Sequence, residues 1–302
     1  MKLAYRPEID GLRAIAVLAV VLYHAEFAIF GGDPFTGGYI GVDVFFVISG
    51  YLITSIIVRE IKRESFSFQR FYERRARRIL PALFTVMAAT LPFAWLYLLP
   101  KAMKEYAGSL LSSLFFGSNI WFWREDSYTA EPSALKPLLH TWSLSVEEQF
   151  YVLFPVFLLL VWRFAKQHAL SILLLGFVIC LQIAQIGSAQ TPEAAFFLLP
   201  FRGWELLAGS ILALLELQRG RAPGGFAAWS MPAVGLGLIF LSVLVFDEQT
   251  QHPSYVTLVP VIGSMLIIWF SDPGSSFTRI LGGRIFVGLG LISYSFYLWH
   301  FP

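Results

Sequence analysis

The stretch GYIGVDVFFVISGYLITSIIV, Gly38 to Val58, sets twenty-one residues in a row with a single charged side chain, Asp43. As a helix it rises about 30 Å, the thickness of a bilayer's hydrocarbon core. It reads as a membrane span, and the composition extends that reading to the whole chain. Of 302 residues, 57% are hydrophobic, 17% aromatic and only 14% charged, with a mean hydropathy of +0.66. An ordinary soluble domain carries about 25% charged residues. A soluble enzyme, a disordered regulator and a nucleic-acid binder working through net charge are excluded, the formal charge being +2. The single cysteine, Cys180, lies in an apolar run, so neither an internal disulfide nor a cysteine metal cluster is available, and no metal is expected.

Outward from that stretch, eight further runs are long and apolar enough to cross. The predicted spans are residues 12–30, 38–58, 79–99, 146–162, 169–188, 195–215, 226–246, 253–271 and 285–302. A further stretch, 106–123, is rich in Gly and Ser. If it does not cross and the N-terminus is cytoplasmic, sixteen Lys and Arg residues fall inside, four outside and two (Arg13 and Arg202) within spans. If it crosses, the asymmetry nearly vanishes. The positive-inside rule therefore predicts nine spans, an all-α polytopic bundle with a cytoplasmic N-terminus. The first span is not a signal peptide, because Glu8 and Asp10 occupy the would-be positive region. The last span stops at His300-Phe301-Pro302 with no flanking charge, and residues 1–302 are expected to be one C-terminally incomplete transmembrane domain.

Charged groups inside hydrocarbon are costly and mark function. Arg13 and His24 are eleven residues apart, which puts them within about 20° of one face, separated by about 16 Å of rise. Alone, Arg13 would snorkel to lipid phosphate; paired with a histidine on the same face, it reads as functional. Asp43 lies about 7 Å below the outer surface, at a depth overlapping that of His24. A carboxylate beside His24 would fix its tautomer and raise its basicity, as a general base requires. The blander reading of Asp43 is a helix N-terminal charge. In His140-Thr-Trp-Ser-Leu-Ser-Val-Glu147-Glu148, a capping box from Ser143 or Ser145 would account for one glutamate but not for the pair plus His140. Arg202 and Glu205 are three apart on one face and are expected to pair. His300 lies about 21 Å up the last span. Six such groups at one depth imply a polar cavity.

Eight basic residues crowd between Arg59 and Arg78, against two in each later inside loop. They satisfy topology and attract anionic lipid. The density of Arg74, Arg75, Arg77 and Arg78 further suits bidentate binding of phosphate.

Together these stretches resemble the acyltransferase-3 family of membrane acyltransferases, which O-acetylate bacterial surface polysaccharides. The residues that carry the resemblance are Ile9-Asp10-Gly11-Leu12-Arg13 with ten residues to His24, Gly41 to Gly50, Arg74-Arg75-Ala76-Arg77-Arg78-Ile79-Leu80-Pro81, His140 to Tyr151, and Ser293 to His300. They span essentially the whole chain in order. The chain looks most like the branch that modifies lipopolysaccharide O-antigen, where a soluble SGNH-type domain often follows. The resemblance implies ten spans, a location in the bacterial inner membrane, an acetyl-CoA donor reached from the cytoplasm and a polysaccharide or lipid-linked glycan hydroxyl on the far side. It also implies an appended or separate SGNH-type domain and no nucleic acid.

The expected mechanism follows. Arg74, Arg75, Arg77 and Arg78 hold the coenzyme A phosphates with Arg13 at the entrance. His24 acts as general base or transient acyl carrier, oriented by Asp43 or by Glu148, with Glu147 beside it. Asp10, His140, Arg202, Glu205 and His300 line the substrate cavity. The competing class, a secondary transporter or ion-coupled permease, predicts inverted repeats and helices broken at matching positions. The sequence has no such symmetry.

Overall fold

The computed structural model describes residues 5–25, 33–126, 136–221 and 224–301. Among these residues there are helices and connecting turns, and no strand. The first helix, α1 (Pro7–His24), begins five residues before the predicted span. Pro7 sits in its first turn, where a missing N–H costs nothing, and Glu8 and Asp10 complement the positive end of the dipole. Residues 26–30 of that predicted span lie outside the described residues. A 3₁₀ turn at Gly38–Ile40 leads into α2 (Gly41–Lys62), followed by α3 (Phe68–Tyr97).

The stretch 106–123 is not one helix. It is divided between α4 (Pro100–Leu114) and α5 (Ser118–Asp126), with Phe116 between them at φ 53°, in the left-handed region. Fifteen residues rise only about 22 Å, so α4 alone does not cross. The remaining predicted spans fall on α6 (Thr141–Phe164), α7 (Ala169–Gln190), α8 and α9 (Pro192–Phe197, Leu199–Arg219), α10 (Phe226–Val245), α11 (Leu258–Phe270) and α13 (Arg284–Trp299), with α12 (Ser276–Leu281) a short connector. Among the described residues, six helical segments are long and apolar enough to cross by themselves, and the segments ending in α11 and α13 are shorter apolar helices. The chain is a polytopic helical membrane bundle.

The helices divide into a packed centre and a greasy rim. The apolar stretch of α2 is 78% buried, that of α7 only 22%. Exposed Phe93, Trp95, Leu153, Leu175 and Leu241 lie on the peripheral helices, where lipid would cover them. At the centre α2 and α9 cross almost backbone to backbone. A Cβ on Gly50 would stand 1.8 Å from the Leu206 carbonyl oxygen, and one on Gly209 would stand 1.9 Å from that of Val47. Small residues allow this approach, which gains dispersion contacts where lipid offers no hydrophobic drive. Gly209→Leu is therefore expected to abolish the monodisperse folded peak on detergent size-exclusion chromatography. A peak of wild-type height and melting temperature would refute this packing.

At the N-terminal end, Arg6 is buried in a network that ties α1, α2, α9 and α11 together. Its guanidinium donates to Glu8 (2.7 Å), the Tyr51 hydroxyl (2.7 Å), Glu216 (3.3 Å) and the Ile268 carbonyl (2.5 Å). A residue that sequence reading assigns only to topology is thus also a clasp.

Candidate functional site

Two cavities lie along the bundle axis toward opposite ends. The one at the end that carries the N-terminus, about 260 Å³, is named inner after the predicted orientation and the other outer. Arg13 reaches it from α1, and Arg75 and Arg78 from α3. The arginine cluster was expected in a loop; α3 instead starts at Phe68, capped by the Ser67 hydroxyl, so the cluster is helical and splits by face. Arg75, half-buried, and Arg78, exposed, are three apart and both line the cavity. Arg74 and Arg77 turn to solvent, where they pair with Glu60 (2.8 Å) and Glu73 (2.7 Å). Of the five arginines expected around a phosphate-bearing donor, Arg13, Arg75 and Arg78 line this cavity, and Arg74 and Arg77 do not.

Glu147 faces this inner cavity, accepting hydrogen bonds from Ser49 (2.5 Å) and from Tyr151. Arg75 stacks on the Tyr151 ring, 3.9 Å from its centroid, and its Nε has no partner. Glu147 is therefore not beside His24. The predicted helix start was late: α6 begins at Thr141 with His140 at its N-cap, so neither Ser143 nor Ser145 caps it. Glu148, 100° further round the helix, faces a separate groove with Tyr72 and Phe116 and does not orient His24.

The outer cavity, about 520 Å³, contains His24, His140, Arg202, His252 and Tyr297. The His24 ring stands 4.9 Å from that of His300, which is 5.6 Å from that of His140. Thus three predicted histidines converge from α1, the start of α6 and the end of α13, although His300 is not itself among the residues that line the cavity. The His24 Nδ1 lies 2.9 Å from the Val20 carbonyl oxygen. A carbonyl only accepts, so Nδ1 carries the proton and a neutral ring presents its Nε2 lone pair to the cavity. The backbone fixes the tautomer; no carboxylate is needed.

Asp43 does something else. It accepts from Arg202 (2.7 Å), which also pairs with Glu205 (3.3 Å), as the spacing predicted. The reason lies in α2's small-residue stripe. Gly38 and Gly41 abut the Ala19 and Ala16 carbonyls of α1. Asp43 is two residues on, about 200° round the helix, and so faces α9 with Val47 and Gly50. The Gly–x–x–Gly spacing held this information. Glu205, fully buried behind Arg202, does not line the cavity. Asp10 does not either: it pairs with Arg13 (3.3 Å) and accepts from Tyr5 at the opposite end.

His252 went unrecognised in the sequence, since it lies in a polar loop without periodicity. Its Nε2 accepts from Arg202 (2.6 Å) and its Nδ1 donates to Thr257 (3.0 Å). Burial and the Arg202 charge hold it well below the ordinary histidine range, hence neutral. Tyr297 is the other omission as an individual residue. It and Val42 line both cavities, and its hydroxyl bridges Ser143 (2.6 Å) and the His140 carbonyl (3.0 Å).

A helical membrane bundle with an arginine-lined inner cavity and a histidine-lined outer one has the parts for moving an activated group toward a base. Residues 6–302 match the acyltransferase-3 family, described as an acyltransferase domain, and the chain belongs to that family. It is 32% identical to the peptidoglycan O-acetyltransferase OatA of Listeria monocytogenes, over 99% of this chain and 49% of the relative. It is 33% identical to the putative peptidoglycan O-acetyltransferase YrhL of Bacillus subtilis (99% and 48%) and 30% to the O-acetyltransferase OatA of Staphylococcus aureus (99% and 50%). The chain thus spans about half the length of the curated relatives it matches. No solved structure matches it.

Proposed function

We propose that the chain is a membrane O-acyltransferase. It takes an acetyl group from acetyl-CoA at the inner, cytoplasmic cavity and delivers it to a hydroxyl of an extracytoplasmic polysaccharide at the outer one. The observation that carries this is the pair of opposed cavities that share Val42 and Tyr297 in their linings. Three guanidiniums suit the phosphates of a nucleotide-bearing thioester. The rise from Arg13 to His24, about 16 Å, matches an extended pantetheine arm.

In the reaction, His24 Nε2 takes the proton of the acceptor hydroxyl as its oxygen attacks the thioester carbonyl. The new C–O bond forms, the C–S bond breaks, and the leaving thiolate takes that proton from His24, which returns to its neutral form. The Glu147–Tyr151–Arg75 stack holds the donor side, and Asp43, Arg202, Glu205 and His252 stiffen the outer wall. The relatives' names favour a peptidoglycan-type acceptor over lipopolysaccharide O-antigen. An SGNH-type domain, appended or separate, would complete delivery.

The test is coenzyme A release by the reconstituted chain with and without acceptor glycan. Arg75→Gln with Arg78→Gln is expected to raise the donor KM about 10–100-fold, with little change in fold. An unchanged KM would remove coenzyme A from the inner cavity.

A further inference from the structure

The outer cavity holds more than the reacting histidines. We propose that it is a subsite for an uncharged sugar ring, and that Glu193, Asp247 and Glu248 make it select against carboxylate-bearing sugars. This rests on the acyl-transfer reading and adds to it the charge class of the acceptor.

The cavity's volume, about 520 Å³, is in the range of small-molecule sites. Its walls are aromatic: Trp142 and Phe196 stand 4.6 Å apart, and Tyr39 packs 5.0 Å from His252. A pyranose offers such rings an apolar C–H face and offers its rim hydroxyls to acceptors. Those acceptors are present, since Glu193, Asp247 and Glu248 all line the cavity and hydroxyl-to-carboxylate hydrogen bonds are among the stronger kind. Asp247 is held ionised, its carboxyl kept low by the Thr250 hydroxyl bond.

His140 supplies the independent sign of a ligand. It is 4% exposed and lines the cavity; the Leu298 backbone carbonyl is the acceptor beside its ring, and the other ring nitrogen has no partner. Leaving such a group unpaired is costly. With one nitrogen donating to that carbonyl, the other is left to accept from a sugar hydroxyl.

The charge balance sets the selectivity. Among the described residues lining the cavity, Arg202 is the only Lys or Arg, and its guanidinium is already engaged by Asp43, Glu205 and His252. A bound uronate would meet three carboxylates with no compensating free cation. Like charges placed together reject a ligand more strongly than missing contacts do.

The test is equilibrium binding, without donor, of an N-acetylglucosamine trimer and a galacturonate trimer to the full chain in nanodiscs. The neutral trimer is expected to bind about tenfold tighter at low salt, with the gap narrowing as salt is raised. Glu193→Gln with Glu248→Gln should tighten the uronate about tenfold while weakening the neutral trimer about threefold or less. Trp142→Ala should weaken the neutral trimer. Equal or tighter uronate binding, equal shifts of both ligands in the double variant, or binding of neither trimer would overturn the subsite. Selective binding without any acetyl transfer would instead sink the acyl-transfer reading and leave the subsite standing.

Discussion

Replacing His24 by alanine is expected to cut acetyl transfer by about 10²–10⁴-fold, the usual worth of a positioned general base. The loss should appear in kcat and not in donor binding, because Arg13, Arg75 and Arg78 lie toward the other end of α1 and in a different cavity. Stability should change little. The ring's one hydrogen bond is to the Val20 carbonyl, and its remaining described contacts are edge-to-face packing against Tyr23, His300 and Phe301. Single-turnover transfer, donor affinity and melting temperature, measured on the same preparation, separate these terms. Transfer retained at the wild-type rate would take His24 out of the chemistry.

The second large effect is on the fold itself. Arg202 is 1% exposed and serves two buried carboxylates, Asp43 at 2.7 Å and Glu205 at 3.3 Å, while stacking 5.5 Å from the Phe46 and Trp142 ring centroids. Removing one partner of a buried pair costs about 3–5 kcal/mol, because the other charge stays desolvated and alone. Here two would be stranded. Arg202→Ala is expected to lower the melting temperature steeply or to prevent folding. Adding Asp43→Asn and Glu205→Gln to it should recover much of the loss, since neutral amides need no counter-ion. If the triple variant is no better than Arg202→Ala, lost packing of the guanidinium explains the defect and the charge argument fails.

How much of this was legible in the sequence depends on how local each signal is. The apolar runs predicted the helices because a bilayer demands a minimum length, and no longer-range information enters. The shared face of Arg13 and His24 was legible for the same reason, though it led to two different cavities rather than one. Helix starts were misread wherever a helix extends beyond its apolar part: α3 begins at Phe68, eleven residues before the predicted span, because an amphipathic arginine-rich turn is invisible to an apolar count. Asp43 was given to His24 on depth and on the short loop that joins their helices, and Glu148 on depth. Depth fixes one coordinate of a side chain, and the rotation about the helix fixes the other. For Asp43 that rotation was encoded in Gly38 and Gly41; for Glu148 it depended on where α6 begins. His252 depended on a loop folding back over Arg202, which no periodicity announces.

In the proposed reaction an acetyl group passes between opposed cavities through one protein. The most direct measurement uses sealed proteoliposomes with labelled acetyl-CoA outside and the acceptor glycan inside, read as label on the enclosed glycan. Label is expected on the enclosed glycan with the bilayer intact, only from molecules whose arginine-lined cavity faces the donor, and none with His24→Ala. Label appearing only when donor and glycan share one side, or appearing equally with His24→Ala, would contradict it.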